Sequence, residues 1–160
     1  MAKKTSKTKP LPIYIINGPN LNLLGAREPD IYGKTTLSEI EALCESRAKS
    51  HGHGIVFLQS NKEGEIVEFL QEARAMSSGV IINAAGYTHT SIAILDAIQT
   101  IKAPVIEVHL SNPARREDFR HLSYVAKAAT GSITGLGANS YLLAIDAVAA
   151  ILAGPKGIKA

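Results

Sequence analysis

The chain reads Pro12-Ile13-Tyr14-Ile15-Ile16 and then Asn17-Gly18-Pro19-Asn20-Leu21-Asn22-Leu23-Leu24-Gly25, with polar residues, Gly and Pro recurring as far as Lys34. The first five residues are an apolar run of strand length. The next helical pattern starts at Thr36, which forms a capping-box pair with Glu39, and Leu37, Ile40, Leu43, Cys44 and Ala48 then trace one face over about 36–50. Strand, loop and helix in that order open a parallel α/β unit. The loop from Asn17 to Lys34 far exceeds the two to six residues usual for such a connection, which marks it as functional.

Outward from this unit the pattern repeats. Ile55 to Leu58 reads as a second strand, followed by a helix with Ile66, Phe69, Leu70 and Ala73 on its buried face. Val80 to Ile82 is a third strand. After a turn at Gly86 to Thr88, a helix patterned by Ile92, Leu95, Ile98 and Ile101 ends at Pro104. Val105 to Val108 is a fourth strand, residues 112–130 are charged and partly helical, Ser132 to Gly135 is a fifth strand, and Tyr141 to Leu152 is a closing helix. Five short strands interleaved with helices predict an α/β, flavodoxin-like, doubly wound parallel sheet of order 2-1-3-4-5. Residues 11–153 form the single domain expected, between a flexible basic leader at 1–10 and a flexible tail at 154–160.

The charge distribution supports that division. The 160 residues carry 17 basic and 14 acidic side chains, a formal net charge of +3. Lys3, Lys4, Lys7, Lys9, Lys156 and Lys159 lie in the two tails, and without them the body has 11 basic against 14 acidic residues. The basicity is therefore not a nucleic-acid footprint. The longest apolar stretch, Tyr141 to Leu152, is interrupted by Asp146 and is too short for a membrane span. One cysteine, Cys44, cannot close an intrachain disulfide, so a reducing cytoplasm is expected.

A doubly wound sheet binds ligands beyond the carboxyl ends of its strands, where the strand order reverses. Polar clusters fall there: Asn17 and Asn20, Asn83 to His89, and Glu107, His109 and Ser111. Familiar motifs fail. Gly33-Lys34-Thr35 lacks the first glycine of a phosphate loop, and Gly135-Leu136-Gly137 has Ser140 where a dinucleotide fingerprint needs its third glycine. Ser111, His109 and Glu107 share a strand face but no nucleophile elbow surrounds them, and no metal cage is spaced along the chain.

The loop Asn17-Gly18-Pro19-Asn20-Leu21-Asn22-Leu23-Leu24-Gly25, with Arg27-Glu28-Pro29 and Tyr32-Gly33, resembles the type II 3-dehydroquinate dehydratases. Asn83 to Ser91 (NAAGYTHTS) and Ile106 to Asn112 (IEVHLSN) are similar to the same family, and the likeness runs from about Ile13 to Leu152. A departure stands at Ala84-Ala85-Gly86, where a Pro-Gly-Ala-like turn is expected, and it bears on loop shape. The resemblance implies anti elimination of water from 3-dehydroquinate through an enolate, giving 3-dehydroshikimate in the shikimate pathway, with no cofactor and no metal.

The resemblance also implies roles. Tyr32 would be the base, its phenolate favoured by Arg27 and Arg116, because an unperturbed tyrosine is almost wholly protonated at neutral pH. His109 would be the acid, oriented and charged by Glu107 two residues earlier on the same strand face. Asn20 would hold a water against the enolate oxygen. Asn83, His89 and Arg120 would hold ring hydroxyls, and Ser111 with the backbone of Leu110 the carboxylate. Asp96 would reach a neighbouring subunit's site in a homododecamer of four trimers, and Gly25 to Lys34 would be a lid. A flavodoxin-like module that only binds a nucleotide or flavin would explain the fold but leave Arg27, Tyr32, Glu107 and His109 without a purpose.

Overall fold

The computed structural model describes residues 9–26 and 28–154. Five strands, β1 (Ile13–Asn17), β2 (Ile55–Gln59), β3 (Gly79–Asn83), β4 (Val105–His109) and β5 (Gly131–Thr134), form one sheet of order β2-β1-β3-β4-β5. All four pairings are parallel. The helices are α1 (Pro29–Tyr32), α2 (Leu37–Ser50), α3 (Glu63–Met76), α4 (Ile92–Gln99), α5 (Tyr124–Ala128) and α6 (Asn139–Leu152). The expected architecture and strand order are both present. The expected leader and tail fall mostly at 1–8 and 155–160, outside the described residues.

Alternation along the strands divides the core in two. Ile13, Ile15, Ile81, Ile106 and Val108 pack with Ile40 and Cys44 of α2 and with Tyr141, Ala144, Ile145 and Val148 of α6. Tyr14, Ile16, Val80, Ile82 and Val105 pack on the other face with Ile66 and Leu70 of α3, Ile94 and Ile98 of α4 and Val125 of α5. Side chains on a strand point alternately to opposite faces, so each strand serves both layers. The central strands β1, β3 and β4 are buried along their whole length.

The capping box at α2 forms as expected: the Glu39 backbone N–H donates to Thr36 Oγ1 at 3.2 Å, and the Thr36 N–H donates to Glu39 Oε2 at 2.7 Å. Two helical faces differ from the sequence pattern. On α4 the buried residues are Ile94, Ala97 and Ile98, while Ile92 is 56% exposed. Its sequence, IAILDAIQ, is apolar almost all round, so periodicity alone could not set the phase. On α2 Leu43 is exposed, and Ile40, Cys44 and Ala48 carry the contact. Among the described residues no helix is long and apolar enough to cross a membrane.

Candidate active site

The carboxyl ends of β1, β3 and β4 open into a cleft of about 210 Å³, below the ~300–1,000 Å³ typical of drug-sized ligands and suited to a small metabolite. Its walls include Asn20, Asn83, His89, His109, Leu110, Ser111, Arg116 and Arg120. All three polar clusters of the sequence thus converge on one opening. Glu107 is buried behind His109 on β4. Asp96 lies apart, on the exposed side of α4 and outside the cleft walls. Arg27 is outside the described residues, and the backbone of Tyr32 closes α1.

The Glu107–His109 pair is the most constrained part of the site. His109 Nε2 lies 2.9 Å from Glu107 Oε1. That oxygen also accepts from Ser123 Oγ at 2.6 Å, and Oε2 accepts from Ser132 Oγ at 2.8 Å. Burial alone would raise the Glu107 pKa, but the hydrogen bonds from His109, Ser123 and Ser132 outweigh it and hold the carboxyl below its ordinary range. A carboxylate only accepts, so Nε2 of His109 carries the shared proton and Nδ1 is the nitrogen left for a ligand.

His89 has the converse arrangement. Its Nδ1 lies 2.7 Å from the Leu122 carbonyl, which can only accept, so in the neutral ring Nε2 is an acceptor. Arg120 Nε donates to Glu117 Oε2 at 2.9 Å, and Arg116 Nε lies 3.6 Å from the same oxygen. Two guanidinium groups therefore line the cleft with one exposed carboxylate between them.

Backbone geometry joins the loops. Asn20 adopts φ 68°, and its N–H donates to Asn61 Oδ1 at 2.9 Å. Gly18 N–H donates to the Asn83 carbonyl at 2.7 Å, and a Cβ at Gly18 would lie 2.5 Å from the Ala84 carbonyl oxygen. Only glycine allows the loops after β1 and β3 to meet this closely. Ala85, in the turn that departs from the expected Pro-Gly-Ala-like pattern, adopts φ 50°. Gly135 and Gly137 form a tight turn before α6, with φ 86° and 59°.

A sequence model of the family described as Dehydroquinase class II matches residues 11–149. The chain belongs to the class II dehydroquinase family. The 3-dehydroquinate dehydratase of Phenylobacterium zucineum (strain HLK1) is 58% identical over 140 residues, covering 88% of this chain and 97% of that protein. That of Caulobacter sp. (strain K31) is 57% identical over 141 residues, covering 88% of this chain and 96% of that protein. The crystal structure of the type II dehydroquinase from Propionibacterium acnes has a TM-score of 0.85 to this chain at 40% identity, and the match covers 89% of this chain and 97% of that one.

Within this family frame, sequence reading missed Ser123, Ser132 and Tyr141. Ser123 caps α5, accepting from the Ala126 N–H at 2.9 Å while donating to Glu107. Ser132 is the register partner of Glu107 on β5. A strand pairing already predicted at β4 and β5 could have flagged Ser132, but no local signal marks Tyr141.

Proposed function

We propose that this chain dehydrates 3-dehydroquinate to 3-dehydroshikimate by anti elimination through an enolate, a step of the shikimate pathway. The observation that carries the reading is the buried Glu107–His109 pair at 2.9 Å, opening into a cleft lined by two arginines. The substrate has a ketone, an acidic proton beside it and a hydroxyl beta to it. Its elimination needs a base, an acid and stabilisation of an enolate.

His109 protonates the departing hydroxyl, and the Glu107 carboxylate stabilises the imidazolium before the proton leaves. Support for this assignment comes from the direction of the Nε2 contact, which frees Nδ1 for the substrate. Tyr32 removes the proton, with Arg27 and Arg116 favouring its phenolate. Asn20 orients a water at the enolate oxygen. Asn83, His89 and Arg120 hold ring hydroxyls, and Ser111 with the Leu110 backbone holds the carboxylate. In the neutral ring, Nε2 of His89 is the acceptor and suits a hydroxyl donor. The stretch from Gly25 to Lys34 closes as a lid over bound substrate.

The enzyme works in the cytoplasm as a homododecamer of four trimers, and Asp96 serves a neighbouring subunit. Supporting this, Asp96 is exposed and outside its own chain's cleft, and Ile92 on the same helix is an exposed large apolar residue, as are Phe119 and Leu122. The test is ultraviolet absorbance of the conjugated enone carboxylate after 3-dehydroquinate is added, with EDTA present and, in a parallel sample, with enzyme first treated with substrate and borohydride and then freed of both. Turnover in both is expected. Absence of the absorbance rise, or its loss in EDTA with recovery on adding a divalent metal, overturns the reading.

A further inference from the structure

Two asparagines stand side by side where the strand order reverses. Asn17 and Asn83 are register partners at the ends of β1 and β3, and they are 0% and 3% exposed. Both side chains end on one atom of α6. The Tyr141 hydroxyl donates to Asn17 Oδ1 at 2.7 Å and accepts from Asn83 Nδ2 at 3.0 Å. The outer ends are tied as well: Asn17 Nδ2 donates to the Leu58 carbonyl at 3.0 Å, and Asn83 Oδ1 accepts from the Ala85 N–H at 3.1 Å.

The direction of every link follows from its ends. The Leu58 carbonyl can only accept and the Ala85 N–H can only donate, so the amides between them have one consistent orientation. Burial pushes the Tyr141 ionisation far above the ordinary tyrosine range, and the ring stays a neutral phenol able to donate and accept together. α6 runs against the strand direction, since Tyr141 meets Asn83 at the end of β3 while a Cβ on Gly79, at its start, would touch Val148. Tyr141 is wholly buried and is not among the residues lining the cleft, whereas Asn83 is.

An amide can present either oxygen or nitrogen to a ligand, and the choice decides whether it accepts from a hydroxyl or donates to one. Here Oδ1 is engaged by Ala85 and one Nδ2 hydrogen by Tyr141, which leaves the second Nδ2 hydrogen as the donor for a ligand. We infer that Tyr141 is a positioning residue, holding the Asn83 amide so that its nitrogen donates to a hydroxyl oxygen of the substrate ring. The inference rests on the dehydratase reading of the cleft. The Ala85 N–H fixes which way the amide faces, and the buried hydroxyl holds its nitrogen end in place without touching the substrate.

The test compares full-length wild type with Tyr141→Phe in steady-state turnover of 3-dehydroquinate. Phenylalanine fills the same space and removes only the shared oxygen. With the Asn83 nitrogen no longer anchored and only the Ala85 N–H still holding the amide, KM should rise about tenfold, the loss of one ordinary hydrogen bond, while kcat stays within about threefold. In an Asn83→Ala background the same change should raise KM by less than about twofold, because partners that act through one another are not additive. An unchanged KM with a reduced active fraction is what lost packing alone would give, and it overturns the inference. So does a full effect in the Asn83→Ala background.

Should Tyr141→Phe lose its helical circular dichroism, Asn17→Ala carries the test. It keeps the tyrosine but removes the acceptor of its O–H, so the hydroxyl is no longer fixed with its lone pair toward Asn83 Nδ2, and a KM rise of at least about threefold is expected. No rise overturns the inference. Wild type that fails to turn over 3-dehydroquinate overturns the dehydratase reading itself, whereas active wild type with unresponsive variants overturns only the role of Tyr141.

Discussion

Glu107→Gln keeps the shape of a buried side chain and deletes its charge. In the structure Oε1 accepts from His109 at 2.9 Å and Ser123 at 2.6 Å, and Oε2 accepts from Ser132 at 2.8 Å. A glutamine oxygen can keep the first two, and the Ser132 hydroxyl can rotate to accept from the new amide, so no buried group is orphaned. What changes is strength. A hydrogen bond to a charged group contributes about 1.5–3 kcal/mol against about 0.5–1.5 for a neutral one, so from the middles of those ranges the His109 contact loses about 1 kcal/mol. The upper bound is Coulombic, about 4 kcal/mol for unit charges near 4 Å at an effective dielectric of about 20.

If His109 is the acid, the loss in kcat falls between about fivefold and about 10³-fold, since each 1.36 kcal/mol in the barrier is tenfold. KM should move little, because the pair acts on the departing hydroxyl rather than on ground-state binding. The assay is the initial rate of enone absorbance, with circular dichroism confirming the fold. Glu107→Ala is the contrasting variant: it strands His109, Ser123 and Ser132 together, at about 1–3 kcal/mol for each group left buried and unpaired. Its Tm should fall well below that of Glu107→Gln. A Glu107→Gln enzyme with near-native kcat at every pH where wild type is folded would show that the carboxylate charge is dispensable, and the acid assignment would go with it.

Tyr32→Phe should lower kcat by about 10²–10⁴-fold, the usual range for a lost general base, with circular dichroism unchanged; a near-native kcat would mean another base. Gly18→Ala drives a Cβ to 2.5 Å from the Ala84 carbonyl oxygen, and the strain of overpacking, about 1–3 kcal/mol, should lower both Tm and turnover. Differential scanning calorimetry showing an unshifted Tm would contradict that close approach. Ala85→Gly relieves a left-handed alanine at φ 50° and should raise Tm by about 2–4 °C per kcal/mol released; a fall would show that the turn tolerates the side chain. Acid unfolding tests Glu107 differently. Its folded pKa is lowered, so its stabilisation is present above the unfolded value of about 4.3 and lost as pH falls through the lower folded value. Urea midpoints measured against pH should therefore fall less steeply in Glu107→Gln below about pH 4, and parallel acid limbs would refute the linkage.

The features legible in the sequence are those whose causes are local. Thr36 and Glu39 lie one helical turn apart, so their capping box could be read from two letters, and the strands declared themselves as short apolar runs. Glu107 and His109 share a face because strand side chains alternate, and that periodicity already implied their contact. The likeness in the first long loop supplied the candidate roles of Arg27 and Tyr32. Composition also showed that the basic charge resides in the tails.

Other features waited for tertiary structure because their causes lie between distant segments. The buried phase of α4 was illegible in IAILDAIQ, since a helix apolar on nearly every side is oriented only by what it packs against. Ser123 and Ser132 stand 16 and 25 residues beyond the carboxylate they hold. Tyr141 joins Asn17, 124 residues away, to Asn83, 58 residues away. Sequence alone could place the asparagines at strand ends, but only the packing of α6 against the sheet determined which atoms they share. A buried hydroxyl must find its partners wherever the fold brings them, and chain distance carries no record of that choice.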